Sequence, residues 1–154
     1  MATNIKKIVA QEYLKCAKDP IYFMKKYCYI QHPTRGRILF NLYPFQEKVL
    51  QHFKDRQYLI TLKSRQLGIS TLSSAYSLWL MIFHKDKNVL ALATTQATAR
   101  NLVTKVIFMY DQLPKWLRLK SVEKNKLSLR LKNGSKIQAK SSNADAARSE
   151  AVSL

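Results

Sequence analysis

The spacing of apolar residues changes several times along the chain, and each change marks a predicted element. Residues 4 to 18 carry Ile5, Ile8, Val9, Glu12 and Leu14 in a loose helical stripe, apolar but for Glu12, and Asp19-Pro20 interrupts it. Asp19 is placed to cap a second helix, with Pro20 at its first position and Ile21, Phe23, Met24 and Tyr27 along it. Residues 31 to 37 contain Pro33 and Gly36 and read as a turn region, and Ile38 to Leu42 follows as a short strand. Pro44 then opens a helix that runs to about Lys54.

The middle of the chain alternates between strand and helix. Gln57 to Leu62 is a short apolar strand, 63 to 68 a loop, and 69 to 84 a helix apolar on most sides. Asn88 to Thr94 reads as a buried strand, with Val89, Leu90, Ala91, Leu92 and Ala93 in one run. Gln96 to Gln112 is a long helix ended near Pro114. This βαβα order predicts an α/β fold, a parallel sheet covered by helices. Further on, Lys126 to Leu131 and Ser135 to Lys140 flank Lys132-Asn133-Gly134. Asn-Gly between two alternating runs is a strong hairpin signal.

Composition narrows the function. The chain has 154 residues, 47% of them hydrophobic, enough to bury a core. Its 27 Lys and Arg against nine Asp and Glu give a formal charge of +18. Such a field draws polyanions: nucleic acid first, a nucleotide second, an anionic membrane third. The plain alternative is a basic, soluble surface. Cys16 and Cys28 do not make a disulfide scaffold and read as free buried thiols in a reducing compartment. His32, His52 and His84 lack metal-ligand spacing. Lys6 and Lys7 are not followed by the apolar stretch of a signal peptide, and the run at Leu78 to Phe83 is too short to span a bilayer.

The stretch Lys63-Ser64-Arg65-Gln66-Leu67-Gly68-Ile69-Ser70-Thr71 lies between an apolar strand and a helix. That is where the phosphate-binding pattern G-x-x-x-x-G-K-[ST] belongs. Gly68 stands at the tight turn that lets backbone N–H groups face phosphate oxygens, and Ser70 where a hydroxyl would hold Mg²⁺. Two positions depart from the pattern: Lys63 replaces the first Gly, and Ile69 replaces the Lys. A Lys at the front of the loop can still bring an ammonium to the phosphates, with Arg65 as a second cation. The competing reading is an ordinary strand-turn-helix corner with basic residues. Two further stretches accompany the loop. Tyr43-Pro44-Phe45-Gln46 puts an amide able to read an adenine edge beside rings able to stack, or else it is a helix start with a capping Gln. Thr94-Thr95-Gln96 ends the second strand, where small polar residues can contact a nucleic-acid strand, relay the nucleotide state, or simply cap a helix.

Gln46, the loop at 63 to 71, Ala93-Thr94-Thr95-Gln96, and Ser141-Ser142 through Ala147-Arg148 follow one another in an order that resembles the ATPase domain of tailed-phage large terminase subunits. Those proteins tolerate a phosphate loop whose lysine sits at its start. The resemblance runs from about residue 40 to the end, and its strength lies in the ordered set rather than in one motif. It implies a P-loop NTPase-like fold of the RecA/ASCE type, spanning 38 to 154 behind a helical lead-in at 1 to 37. It also implies ATP and Mg²⁺ as cofactors. Gln46 would recognise adenine. Lys63, Ser64, Gln66, Gly68, Ser70 and Thr71 would hold phosphates, with Ser70 also on Mg²⁺. Arg65 would stabilise γ-phosphate charge, and Arg148 would be a candidate arginine finger. Double-stranded DNA, a portal protein and a small terminase subunit are the implied partners, in an oligomeric ring acting in the cytoplasm of an infected bacterium.

Such a motor also needs an apolar strand ending in Asp-Glu, the Asp for Mg²⁺ and the Glu for the attacking water. Val106 to Asp111 looks similar, but it belongs to the helix from Gln96, and Gln112 follows where Glu is required. Ala151 to Leu154 reads as the start of an apolar strand, so the expected sheet is incomplete at the C-terminus and stops before the carboxylates. The resemblance would also place the family's nuclease domain outside these residues, as expected of a fragment, one piece of an interrupted gene or a truncated sequence. ATP hydrolysis by this chain alone is therefore left open. Two alternatives stand: a helicase-like DNA translocase fragment, and a non-catalytic basic nucleic-acid-binding module with a degenerate loop.

Overall fold

A computed structural model describes residues 2–142 and 153–154. Helix α1 spans Ala2–Lys18 and α2 spans Pro20–Tyr27. Asp19 caps α2 as its position predicts, its Oδ1 accepting from the Ile21 amide at 2.8 Å. The side of α1 turned inward carries Val9, Glu12, Tyr13, Cys16 and Ala17, while Ile5, Ile8 and Leu14 are exposed. The apolar stripe read from sequence is therefore displaced around the helix by the polar member that α2 captures. Glu12 accepts from Tyr22 Oη (2.7 Å), Lys26 Nζ (2.6 Å) and Tyr27 Oη (2.8 Å), which joins the two helices.

Strands β1 (Tyr29–His32) and β2 (Gly36–Leu39) pair as an antiparallel hairpin around the expected turn. Helix α3, Pro44–Asp55, begins at its proline. Helix α4, Ile69–Phe83, is the spine of the core: Leu72, Ala75, Leu78, Met81 and Ile82 are fully or almost fully buried. Its Trp79 donates an indole N–H to the Cys16 carbonyl at 2.8 Å, fixing α1 against it. Helix α5, Gln96–Gln112, packs on α4 and on the sheet.

The main sheet has four strands in the order β3-β6-β5-β4, formed by Asn88–Ala93, Lys136–Ser141, Ser128–Leu131 and Ser121–Lys124. The β5–β6 hairpin is where Asn133-Gly134 places it, and Gly134 takes φ +86°. The same turn closes the end of α4. Asn133 Nδ2 donates to the carbonyls of Met81 (2.8 Å) and His84 (3.0 Å), and Ser135 Oγ donates to His84 (2.9 Å). Carbonyls left without partners at the helix end are thus satisfied by the hairpin.

Two sequence expectations are corrected. The sheet is mixed rather than parallel: among the described strands β3 and β6 run parallel, and the β6–β5 and β5–β4 pairs are antiparallel. The hairpin that fills the sheet reverses the chain within a few residues, which a parallel pair cannot do. The second correction is at Gln57 to Leu62, which is irregular backbone and not a strand. Tyr58, Ile60 and Leu62 there are 84%, 98% and 101% exposed. No described strand offers them an edge, and an apolar run without a partner has neither ladder bonds nor a face to bury.

Candidate functional site: the loop before helix α4

The loop reaches α4 through two left-handed residues, Gln66 at φ 65° and Gly68 at φ 70°. Such a backbone is easy for Gly and strained for Gln. Gly68 is the N-cap of α4, and no side chain caps the helix. The amides of Ile69, Ser70 and Thr71 therefore face outward at the positive end of a 15-residue helix whose first turn holds no acidic residue. The first helical bond is Leu72 N–H to the Gly68 carbonyl, 2.9 Å.

Gln46 braces this turn from the first turn of α3. It is 2% exposed, and both ends of its amide are used. Nε2 donates to the Leu67 carbonyl at 3.0 Å, and Oε1 accepts from the Tyr43 amide at 3.1 Å. A Cβ at Gly68 would lie 2.7 Å from Gln46 Nε2. Glycine is thus required there twice, for its φ and for the room it leaves to Gln46. Tyr43 and Phe45 stack beside it with ring centroids 5.7 Å apart.

The cations and hydroxyls around the turn are open to solvent. Lys63, Ser64, Arg65, Gln66 and Ser70 are exposed, and Thr71 is partly covered. Lys63 Nζ donates back to the Ser64 carbonyl at 3.1 Å. Two bonds tie α5 to the start of α4: Ser74 Oγ donates to the Leu102 carbonyl (3.3 Å), and Lys105 Nζ donates to Thr71 Oγ1 (3.2 Å). Desolvation by the surrounding protein lowers the Lys105 pKa. Sequence reading missed Lys105, because its place beside the loop comes from the packing of two helices more than thirty positions apart.

The remaining candidates lie elsewhere. Thr95 caps α5, its Oγ1 accepting from the Thr98 amide at 3.2 Å. Ala93 and Ser141 are register partners, and the Ser142 amide donates to the Ala93 carbonyl at 2.8 Å. The segments 93–96 and 141–142 therefore meet at the carboxyl ends of the parallel pair. Among the described residues no hydrogen bond joins them to the loop. Asp111 sits in the last turn of α5 and pairs with Lys124 Nζ at 2.6 Å, a helix-end residue as read. Arg148 falls outside the described residues. Cys16 and Cys28 are free and buried, and burial raises both thiol pKa values, that of Cys16 to about 11. Among the described residues there is no cluster of three His, Cys, Asp or Glu side chains able to hold a metal. Nor is any described helix long and apolar enough to cross a membrane.

No protein-family model matches the chain. Its fold is similar to that of the large terminase of bacteriophage HK97, seen in a crystal structure, with a TM-score of 0.64 at 18% identity. The match covers 81% of this chain and 27% of that one. A likeness at this identity concerns the fold: a mixed α/β sheet with flanking helices, arranged as in part of a phage large terminase.

Proposed function

We propose that the chain is the ATP-binding front of a viral DNA-packaging motor, a terminase-type P-loop ATPase that moves duplex DNA into a capsid. One observation carries this reading above the rest: the uncapped first turn of α4, entered from left-handed Gly68 with Lys63 and Arg65 in the same loop. Exposed amides at a helix N-terminus, with no acidic side chain near, are an anion site in need of an anion. The amides of Gly68 to Thr71 would hold the phosphates, Ser70 would hold Mg²⁺, and Lys63, which now donates to the Ser64 carbonyl, would supply an ammonium to the phosphate oxygens. Arg65 would neutralise charge at the γ-phosphate, and Arg148 would be the arginine finger. Gln46 would read the adenine edge with the second Nε2 proton and second Oε1 lone pair, which its burial (2% exposed) covers until the turn opens.

The charge of +18 fits contact with DNA phosphates without base readout. In the intact motor the subunits form a ring that meets a portal protein and a small terminase subunit in the host cytoplasm. The test is titration with a fluorescent ATP analogue and Mg²⁺. Lys63→Ala is expected to weaken binding by about ten-fold or more, the loss of one charge-assisted hydrogen bond. In the whole motor the same change removes DNA-stimulated hydrolysis. Unaltered binding and hydrolysis would remove Lys63 from the site, while DNA binding without any nucleotide binding would favour the non-catalytic module.

A further inference from the structure

Resting on that reading, we infer that Lys105 is a second phosphate-holding cation, delivered to the nucleotide from α5 and positioned by Thr71. Three observations lead there. The loop has Ile69 where an ammonium is expected, and Lys63 at its front turns back on its neighbour's carbonyl. Lys105 Nζ already lies 3.2 Å from the hydroxyl of Thr71, in the first turn of α4 and next to Ser70. Lastly, the ammonium has no carboxylate partner among the described residues, in which the ion pairs are Lys25–Glu47, Lys26–Glu12 and Lys124–Asp111.

Lys105 and Thr71 also share the wall of a cavity of about 400 Å³ between the β1–β2 hairpin and α5, with Ile30, Phe108 and Met109 as apolar lining. An ammonium carries three donors, and Thr71 takes one of them. The partial desolvation that lowers the Lys105 pKa is a cost that a bound anion would remove. Thr71 and Lys105 thus bring the first turn of α4 and the middle of α5 to one cavity, with Ser70 next to Thr71 in the chain. The loop needs no lysine at position 69 if α5 supplies one.

The experiment measures MgATP-analogue binding to the wild-type chain and to Lys105→Met, Lys105→Arg, Thr71→Val and Lys115→Met, with thermal unfolding of each. Lys115 is exposed beyond the end of α5 and controls for the loss of one charge. Lys105→Met is expected to weaken binding by about ten-fold, and Lys105→Arg to restore it to within about three-fold. Thr71→Val should fall between them, and Lys115→Met should match wild type. Binding by Lys105→Met as tight as wild type overturns the role of Lys105 and leaves the nucleotide reading intact. Equal weakening in Lys115→Met reduces the effect to general charge and overturns it too. Should Lys105→Met unfold, Lys105→Arg and Thr71→Val decide: wild-type affinity in Thr71→Val, or no binding in Lys105→Arg, overturns it. Absence of binding by the wild-type chain would remove both this inference and the nucleotide site.

Discussion

Two six-residue apolar runs, Gln57 to Leu62 and Asn88 to Ala93, look alike in sequence and end in opposite states. The second is β3, in parallel register with β6 along its whole length, from Asn88 opposite Lys136 to Ala93 opposite Ser141. Val89 and Ala91 are buried on it. The first leads into the candidate phosphate loop as irregular, exposed backbone. Local propensity would sort them the other way: Tyr58, Ile60 and Thr61 favour extended chain more than the Leu-Ala-Leu-Ala of β3 does. What separates them is an available edge. Strand β3 has β6 on one side, and on the other the Ser153 amide donates to the Asn88 carbonyl at 2.7 Å while Leu90 N–H donates to the Leu154 carbonyl at 2.8 Å. An apolar run becomes a strand when another chain segment completes its hydrogen bonds.

The sharpest test of this contrast is truncation on each side of it. Ile137→Ala, in β6 opposite Val89 and 2% exposed, is expected to cost about 2–5 kcal/mol by denaturant unfolding, since it leaves a cavity in the core. Leu62→Ala, at a fully exposed position, is expected to stay within about 0.5 kcal/mol. Similar losses at the two sites would mean that 57 to 62 is packed in solution. Next in size is Gly134→Ala. The new methyl would collide with the Asp86 carboxylate and sit at φ +86°, loosening the turn that delivers β6 to β3. A cost of about 1–3 kcal/mol is expected, and a neutral result would show that the turn is not what sets the register.

The smallest effect lies outside the sheet and gives a reference for it. Three donors, led by Lys26 and then Tyr22 and Tyr27, hold the Glu12 carboxyl at about 2, against an ordinary value of 4.5. Its folded-state pKa is depressed, so its contribution is present above about pH 4.5 and fades as pH falls towards 2. A pH series of melting temperatures should show that fall in wild type and a shallower one in Glu12→Gln. Identical slopes would discount the cluster as a link between α1 and α2.

Elements whose signals are local were legible in the sequence. Asp19-Pro20 started α2, Pro44 started α3, Asn133-Gly134 placed the hairpin, and Gly68 marked the turn into α4. What was not legible depends on partners far away in the chain. Strand β4, with the polar sequence Ser-Val-Glu-Lys, exists because β5 offers it an edge, and it is bulged between Ser121 and Glu123. The exposure of 57 to 62 and the approach of Lys105 to Thr71 are likewise facts of packing. Gln46 was read as a residue for a ligand or as a cap; in the fold it caps α3 and also grips the loop.

That grip makes Gln46 a lever. Its amide spans the start of α3 and the carbonyl just before Gly68, with no slack at the glycine. Any shift of the loop by a ligand must therefore either break the Leu67 bond or carry the start of α3 with it. The stacked rings of Tyr43 and Phe45 ride on that same turn, exposed to solvent. The loop's state is in this way written onto an aromatic pair on the surface, where tyrosine emission could register it from outside the site.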